Sequence, residues 1–178
     1  MKYSFLAITI FLMNACTQTK PEYTSLDDYP LPEETLWLDY SKEQTVFKIW
    51  SPAAEEVTLR LYEKGDGGEA LETHKMKWSE SSVWKKSISG DLNGKYYTYQ
   101  VKYEGRLLDE TPGTYAQAVG VNGQRAMVLD MASTNPDGWD TDKGPAIKYT
   151  NEAIIYELHI RDITIHPESG SSMPGKYL

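Results

Sequence analysis

Apolar residues recur at every second position through the middle of this chain. In Thr45–Trp50, Phe47 and Ile49 alternate with Val46, Lys48 and Trp50. In Val57–Tyr62, Val57, Leu59 and Leu61 share one side, with Thr58 and Arg60 on the other. A period of two places successive side chains on opposite faces of a strand, so each run predicts a strand with one buried face. Ala70–Lys77 and Val83–Ile88 read as further strands. Lys95–Glu104 lines Tyr97, Tyr99, Val101 and Tyr103 along one face, opposite Thr98, Gln100 and Lys102. Gly65–Gly68 is a flexible turn. Asn93-Gly94 is a tight-turn signal between the last two strands, since both residue types tolerate positive φ. No segment here carries a 3.6-residue period. Short alternating strands with turns every ~8–12 residues predict an all-β, immunoglobulin-like sandwich from about Leu36 to Tyr103.

The flanks have other textures. Phe5–Met13 is an unbroken run of apolar or β-branched residues behind Lys2. It is too short for a typical membrane-spanning helix, which takes about 20 residues, and fits the core of an export signal. Residues 1–15 are therefore expected to be a signal peptide. Ala15 then precedes Cys16, the only cysteine; "LMNAC" resembles a bacterial lipoprotein signal, which implies a lipidated Cys16 after cleavage and an exported, membrane-anchored protein, periplasmic or at the cell surface. Residues 16–35 are polar and hold three prolines, which predicts an extended, solvated tether. Residues 106–150 are rich in Gly, Pro, Asn and Asp and contain one strand-like run, Ala126–Leu129. Their apolar and aromatic members (Tyr115, Val119, Val121, Met127, Trp139) are too many for a free linker, so this connecting segment is expected to lie across a neighbouring surface. Ala153–Asp162, "AIIYELHIRD", again reads as a strand, nearly continuous in its apolar residues, as in a strand buried on both sides.

Composition narrows the partners. The 178 residues carry a net charge of −8, which disfavours nucleic acid, whose phosphates would be repelled. The 13 Tyr and 5 Trp suit a β protein.

The order of these features is recognisable. "FKIWSPAAEEVTLRLY" and "VWKKSISGDLNGKYYTYQV" resemble the N-terminal sandwich of glycoside hydrolase family 13 debranching enzymes, assigned to carbohydrate-binding module family 48. "ETPGTYAQAVGVNGQRAMVLD" is similar to the segment joining that sandwich to the catalytic barrel in type I pullulanases, and "AIIYELHIRDITI" resembles their first barrel strand. The resemblance implies a sandwich at 36–105, the connecting segment at 106–150, and the start of a (β/α)8 barrel at 151–178. Such a barrel takes about 250 residues, so it is expected to be incomplete here. The implied function is the N-terminal portion of a pullulanase-like enzyme acting on α-1,6 linkages of starch, glycogen or pullulan. The alternative is a non-catalytic, lipid-anchored glucan-binding or scaffold protein.

Retaining glycoside hydrolysis needs two carboxyl groups about 5 Å apart. In the resembling family these acids follow later barrel strands, so none transfers to a residue here, and the chain alone is expected to be inactive. No cofactor or metal site is expected: on a strand, Glu157, His159 and Arg161 share a face and Asp162 points away. For an α-glucan partner the candidates are Trp78, Trp84 and Tyr97, whose rings could stack on sugars if they were exposed.

Overall fold

The alternating runs pair into two antiparallel sheets in the computed structural model, which describes residues 20–79 and 81–176. The strands are β1 (Asp39–Tyr40), β2 (Gln44–Trp50), β3 (Glu56–Tyr62), β4 (Glu72–Lys75), β5 (Lys77–Trp78), β6 (Val83–Ser89), β7 (Tyr96–Tyr103), β8 (Arg106–Leu107) and β9 (Ala126–Met127). The first sheet has the order β1-β2-β6-β5; the second runs β4-β3-β7-β8, with β9 also paired to β7. This is the all-β sandwich that the alternation predicts. The chain divides into two compact units, Met1–Thr134 and Asn135–Leu178, and the sandwich belongs to the first.

Register explains the core. Leu59 lies opposite Tyr99 and Leu61 opposite Tyr97, so these four side chains share the inner face of the second sheet. Phe47, fully buried, meets Tyr97 edge-on from the first sheet with ring centroids 5.0 Å apart. Burying a side chain such as Leu59 contributes about 1.5–3 kcal/mol.

The Asn93-Gly94 turn forms, but it does not make a hairpin. Its flanking strands belong to different sheets: β6 pairs with β2 and β5, whereas β7 pairs with β3. Only Gly94 of the two takes a positive φ, +80°. The turn is an arch between sheets, closed by Lys95 N–H donating to Leu92 O at 2.9 Å.

The segment expected to connect also builds the sandwich. β8 pairs with Lys102–Tyr103, Thr111 bridges to Tyr99, and β9 pairs with Tyr96–Tyr97. Three separate pieces thus cover the edge of β7 that β3 leaves open. Ala126 and Val128 are fully buried. An uncovered edge would expose a row of unpaired backbone groups.

Residues 20–36 depart from the solvated tether expected of them. They form a strap over the outer face of the first sheet. Trp50 Nε1 donates to Pro30 O at 2.9 Å, and Lys48 Nζ to Thr35 O at 3.3 Å. Glu34 pairs with Lys85 at 2.6 Å, and Leu36 is buried. A short 3-10 turn, Leu26–Asp28, is closed by Ser25 as a capping box, the reciprocal arrangement that satisfies two free N–H groups at once. The expected signal peptide and Cys16 lie outside the described residues.

The second unit holds the largest correction. The expected strand over Ile154–Asp162 is not formed: residues 153–159 have no regular structure, and Ile160–Ile165 is a short helix, α1. Ile154, Ile155 and Tyr156 are 91%, 89% and 79% exposed. A strand satisfies its backbone through neighbours, and no ladder among the described residues includes this segment. Helical hydrogen bonds are local and need no partner strand, and α1 uses them; Thr164 Oγ1 adds a bond to Ile160 O at 2.7 Å.

Candidate functional site

The structure separates the three candidate aromatics. Trp84 is buried; its Nε1 donates to Ser51 O at 2.9 Å, and the Lys20 ammonium sits 3.8 Å above its ring. Tyr97 is buried against Phe47 and Tyr99, and burial pushes its phenol up to about 12. Neither offers a free ring face, so both leave the set of stacking residues and belong to the core. Trp78 stands directly across from Trp84 in the ladder but is only half-buried. It borders an open groove of about 420 Å³ with Lys75, Lys77, Lys85 and Lys86.

A second groove, of about 550 Å³, lies on the outer face of the second sheet. Register puts Arg60 opposite Thr98 and Thr58 opposite Gln100 on that face. The 106–130 segment carries Glu110 over them. Thr98 Oγ1 donates to Glu110 at 2.6 Å, the Tyr62 hydroxyl donates to the same carboxylate oxygen, and Arg60 Nε lies 3.2 Å from the other. Arg60 also donates to the Tyr62 hydroxyl at 3.1 Å. Arg125 stacks 3.5 Å over the Tyr62 ring and donates to Lys64 O and Gly67 O at 2.8 and 2.6 Å. One wall is Gly68–Ala70 and the other Asn122–Arg125. These loops meet backbone to backbone, since a Cβ on Gly120 would stand 2.7 Å from Gly65 Cα.

The electrostatics fit a binding surface. Burial opposes ionisation of Glu110, but hydrogen bonds from Thr98 and Tyr62 and the charge of Arg60 outweigh it and hold the carboxyl below its ordinary value. A general acid for glycoside cleavage needs the opposite, a raised pKa. Burial, with the bond to Glu110, raises the Tyr62 phenol. Planar guanidinium, carboxylate and amide groups side by side suit the vicinal hydroxyls of a neutral sugar. Among the described residues no cluster of three or more His, Cys, Asp or Glu is placed to hold a metal ion.

The sequence reading missed this groove. Its signal was the polar half of the same alternation, Arg60 with Thr98 and Gln100, which counts as solvent face until Glu110 and Arg125 arrive from a distance.

Residues 35–130 match the family described as Carbohydrate-binding module 48 (Isoamylase N-terminal domain). A pullulanase of Bacillus subtilis (strain 168) is 36% identical over 141 residues, which are 78% of this chain and 18% of that protein. The crystal structure of pullulanase from Paenibacillus barengoltzii in complex with maltohexaose and alpha-cyclodextrin superposes with a TM-score of 0.74 at 39% identity, over 84% of this chain and 23% of that one. Pullulanase from Bacillus acidopullulyticus gives 0.73 at 35% identity, over 85% and 18%. The chain therefore spans less than a quarter of the length of these relatives.

Proposed function

Because the chain belongs to the carbohydrate-binding module 48 family, we propose that it is the N-terminal portion of a pullulanase-like debranching enzyme acting on α-1,6 linkages of starch, glycogen or pullulan. One observation carries this reading. The structural likeness to the Paenibacillus barengoltzii pullulanase covers 84% of the chain, whereas the module match spans only residues 35–130. The likeness thus continues beyond the module, which a stand-alone sugar-binding domain has no reason to do.

In this reading the chain handles glucan and supports a catalytic barrel, and the nucleophile and acid/base come from barrel strands outside these 178 residues. The glucan contact is the groove around Arg60, Glu110 and Arg125, with Trp78 as a second, weaker stacking point. Cys16 carries the lipid that anchors the exported protein. The purified chain should release no reducing ends from pullulan above a blank, and co-expression with a pullulanase barrel lacking its own sandwich should restore α-1,6 cleavage. Reproducible hydrolysis by the chain alone would sink the assignment of the acids to the barrel. Intact mass of the membrane fraction checks the anchor, and an unmodified Cys16 removes it.

A further inference from the structure

We infer that the end of the sandwich around Lys20 and the Ser51–Glu55 turn is the membrane-proximal end, held there by a strap that is docked from Lys20 onward. This inference rests on the proposed lipidation of Cys16 and deepens it by naming the surface turned to the bilayer.

The strap begins at that end. Lys20 Nζ donates to Ala54 O at 2.6 Å and Glu55 O at 2.9 Å, and lies over the Trp84 ring. Burial lowers its pKa against the raising influence of Glu55 and Glu56. Three residues further on, the Tyr23 hydroxyl is 3.0 Å from Ser82 Oγ. Tyr23 packs edge-on against Tyr29, at 4.9 Å, and Tyr29 against Trp50, at 6.2 Å. The strap is therefore fastened from its first described residue, not only where it enters β1.

Chain length converts that fastening into a distance. The four peptide steps from Cys16 to Lys20 span at most ~14 Å fully extended. A solvated tether over residues 16–35 would instead average about 25 Å end to end and reach much further. A lipid on Cys16 thus holds Lys20, and with it the Ser51–Glu55 turn, close to the headgroups. The Gly65–Gly68 loop stands at the far end of β3, about 20 Å away along the strand.

The chemistry of this end also fits. Tyr23, Tyr29 and Tyr103 border one shallow depression with Pro21 and Pro52, and tyrosine is favoured where headgroups meet water. Glu22 and Glu55 line the same depression, so charge gives no attraction to anionic lipid. The covalent anchor, not the surface, supplies the binding.

The test uses the full acylated chain on phosphatidylethanolamine–phosphatidylglycerol vesicles containing a headgroup-labelled acceptor lipid. A fluorescent donor is placed at exposed Ala53→Cys or, in a second preparation, at exposed Asp66→Cys; the acylated Cys16 takes no label. Energy transfer from position 53 should exceed that from 66 by about twofold or more, given the ~20 Å offset. The double variant Lys20→Ala/Tyr29→Ala, whose sandwich is checked by near-ultraviolet circular dichroism, should bring the two together. Unacylated chain should not sediment with the vesicles. Equal transfer from both positions in a chain shown by mass to be acylated overturns this inference and leaves lipidation standing. A mass without acyl groups overturns both.

Discussion

Two stretches of this chain share an apolar texture and meet opposite ends. Val57, Leu59 and Leu61 in β3 are at most 3% exposed, whereas Ile154 and Ile155 in the second unit are about nine-tenths exposed. Both stretches are rich in β-branched and leucine residues that favour strands. β3 has a neighbour on each side, β4 and β7, so its backbone groups and its inner face are both satisfied. Ile154–His159 has no partner strand among the described residues and remains irregular. Propensity nominates a strand, and non-local pairing decides whether it exists.

The widest gap between the two regions should appear in amide hydrogen exchange. Amides in the centres of β2, β3, β6 and β7 exchange only when the sandwich opens as a whole, while those of residues 154–159 need no such event. Protection should differ by at least about a thousandfold, for a domain of ordinary stability. Strong protection across Ile154–Asp162 in a monomer would erase the comparison, because it would mean a hidden partner.

Core truncation should separate the regions next. Phe47→Ala removes a fully buried ring packed on Tyr97 and should cost about 3–5 kcal/mol in urea unfolding. Ile155→Ala should stay within about 0.5 kcal/mol, as for an exposed side chain. Equal effects would place Ile155 in a core. A smaller loss tests the groove wall: Gly120→Ala drives a Cβ to 2.7 Å from Gly65 Cα and 2.8 Å from its carbonyl oxygen. Backbone cannot step aside as a side chain can, so about 1–3 kcal/mol is expected. Gly67→Ala has open space around its Cβ but a positive φ, and should cost through conformation alone.

What could be read from the sequence follows the same line between local and non-local. The alternation of Val57, Leu59 and Leu61, and of Tyr97 and Tyr99, announced the inner face, because burial on one side of a sheet leaves its period in the chain. That alternation already placed Tyr97 with Tyr99 on the core side, against its use as a stacking residue. Asn93-Gly94 announced a turn, but turn chemistry is local and is the same for a hairpin and for an arch between sheets. The strap was hidden because several of its fastenings run through backbone carbonyls, Pro30 O and Thr35 O on the strap and Ala54 O on the sandwich. These leave no mark on composition, and a proline-rich polar segment looks solvated. Glu110 and Arg125 went unmarked because their partners are 12 to 61 residues away.

The smallest expected effect concerns Glu110 and acid. Its carboxyl is held below the ordinary 4.5, with burial opposing and the bonds from Thr98 and Tyr62, then the Arg60 charge, prevailing. A folded-state pKa below the unfolded one means that the folded chain binds protons less readily. Its stabilising share is therefore complete above about 4.5 and fades as pH falls through the lowered value. Glu110→Gln keeps the shape and removes the charge, so the variant should be less stable than the parent at pH 7, and the difference should shrink toward pH 3. Glu56 is also held low, through bonds from Lys75 and Lys102, but lies exposed at the surface; Glu56→Gln should scarcely alter the slope, since surface pairs contribute little. Urea midpoints for the three proteins across pH 3–7 decide the matter. A Glu110→Gln deficit that persists unchanged into acid would show that Glu110 fastens the connecting segment by shape and neutral hydrogen bonding, with its charge contributing nothing.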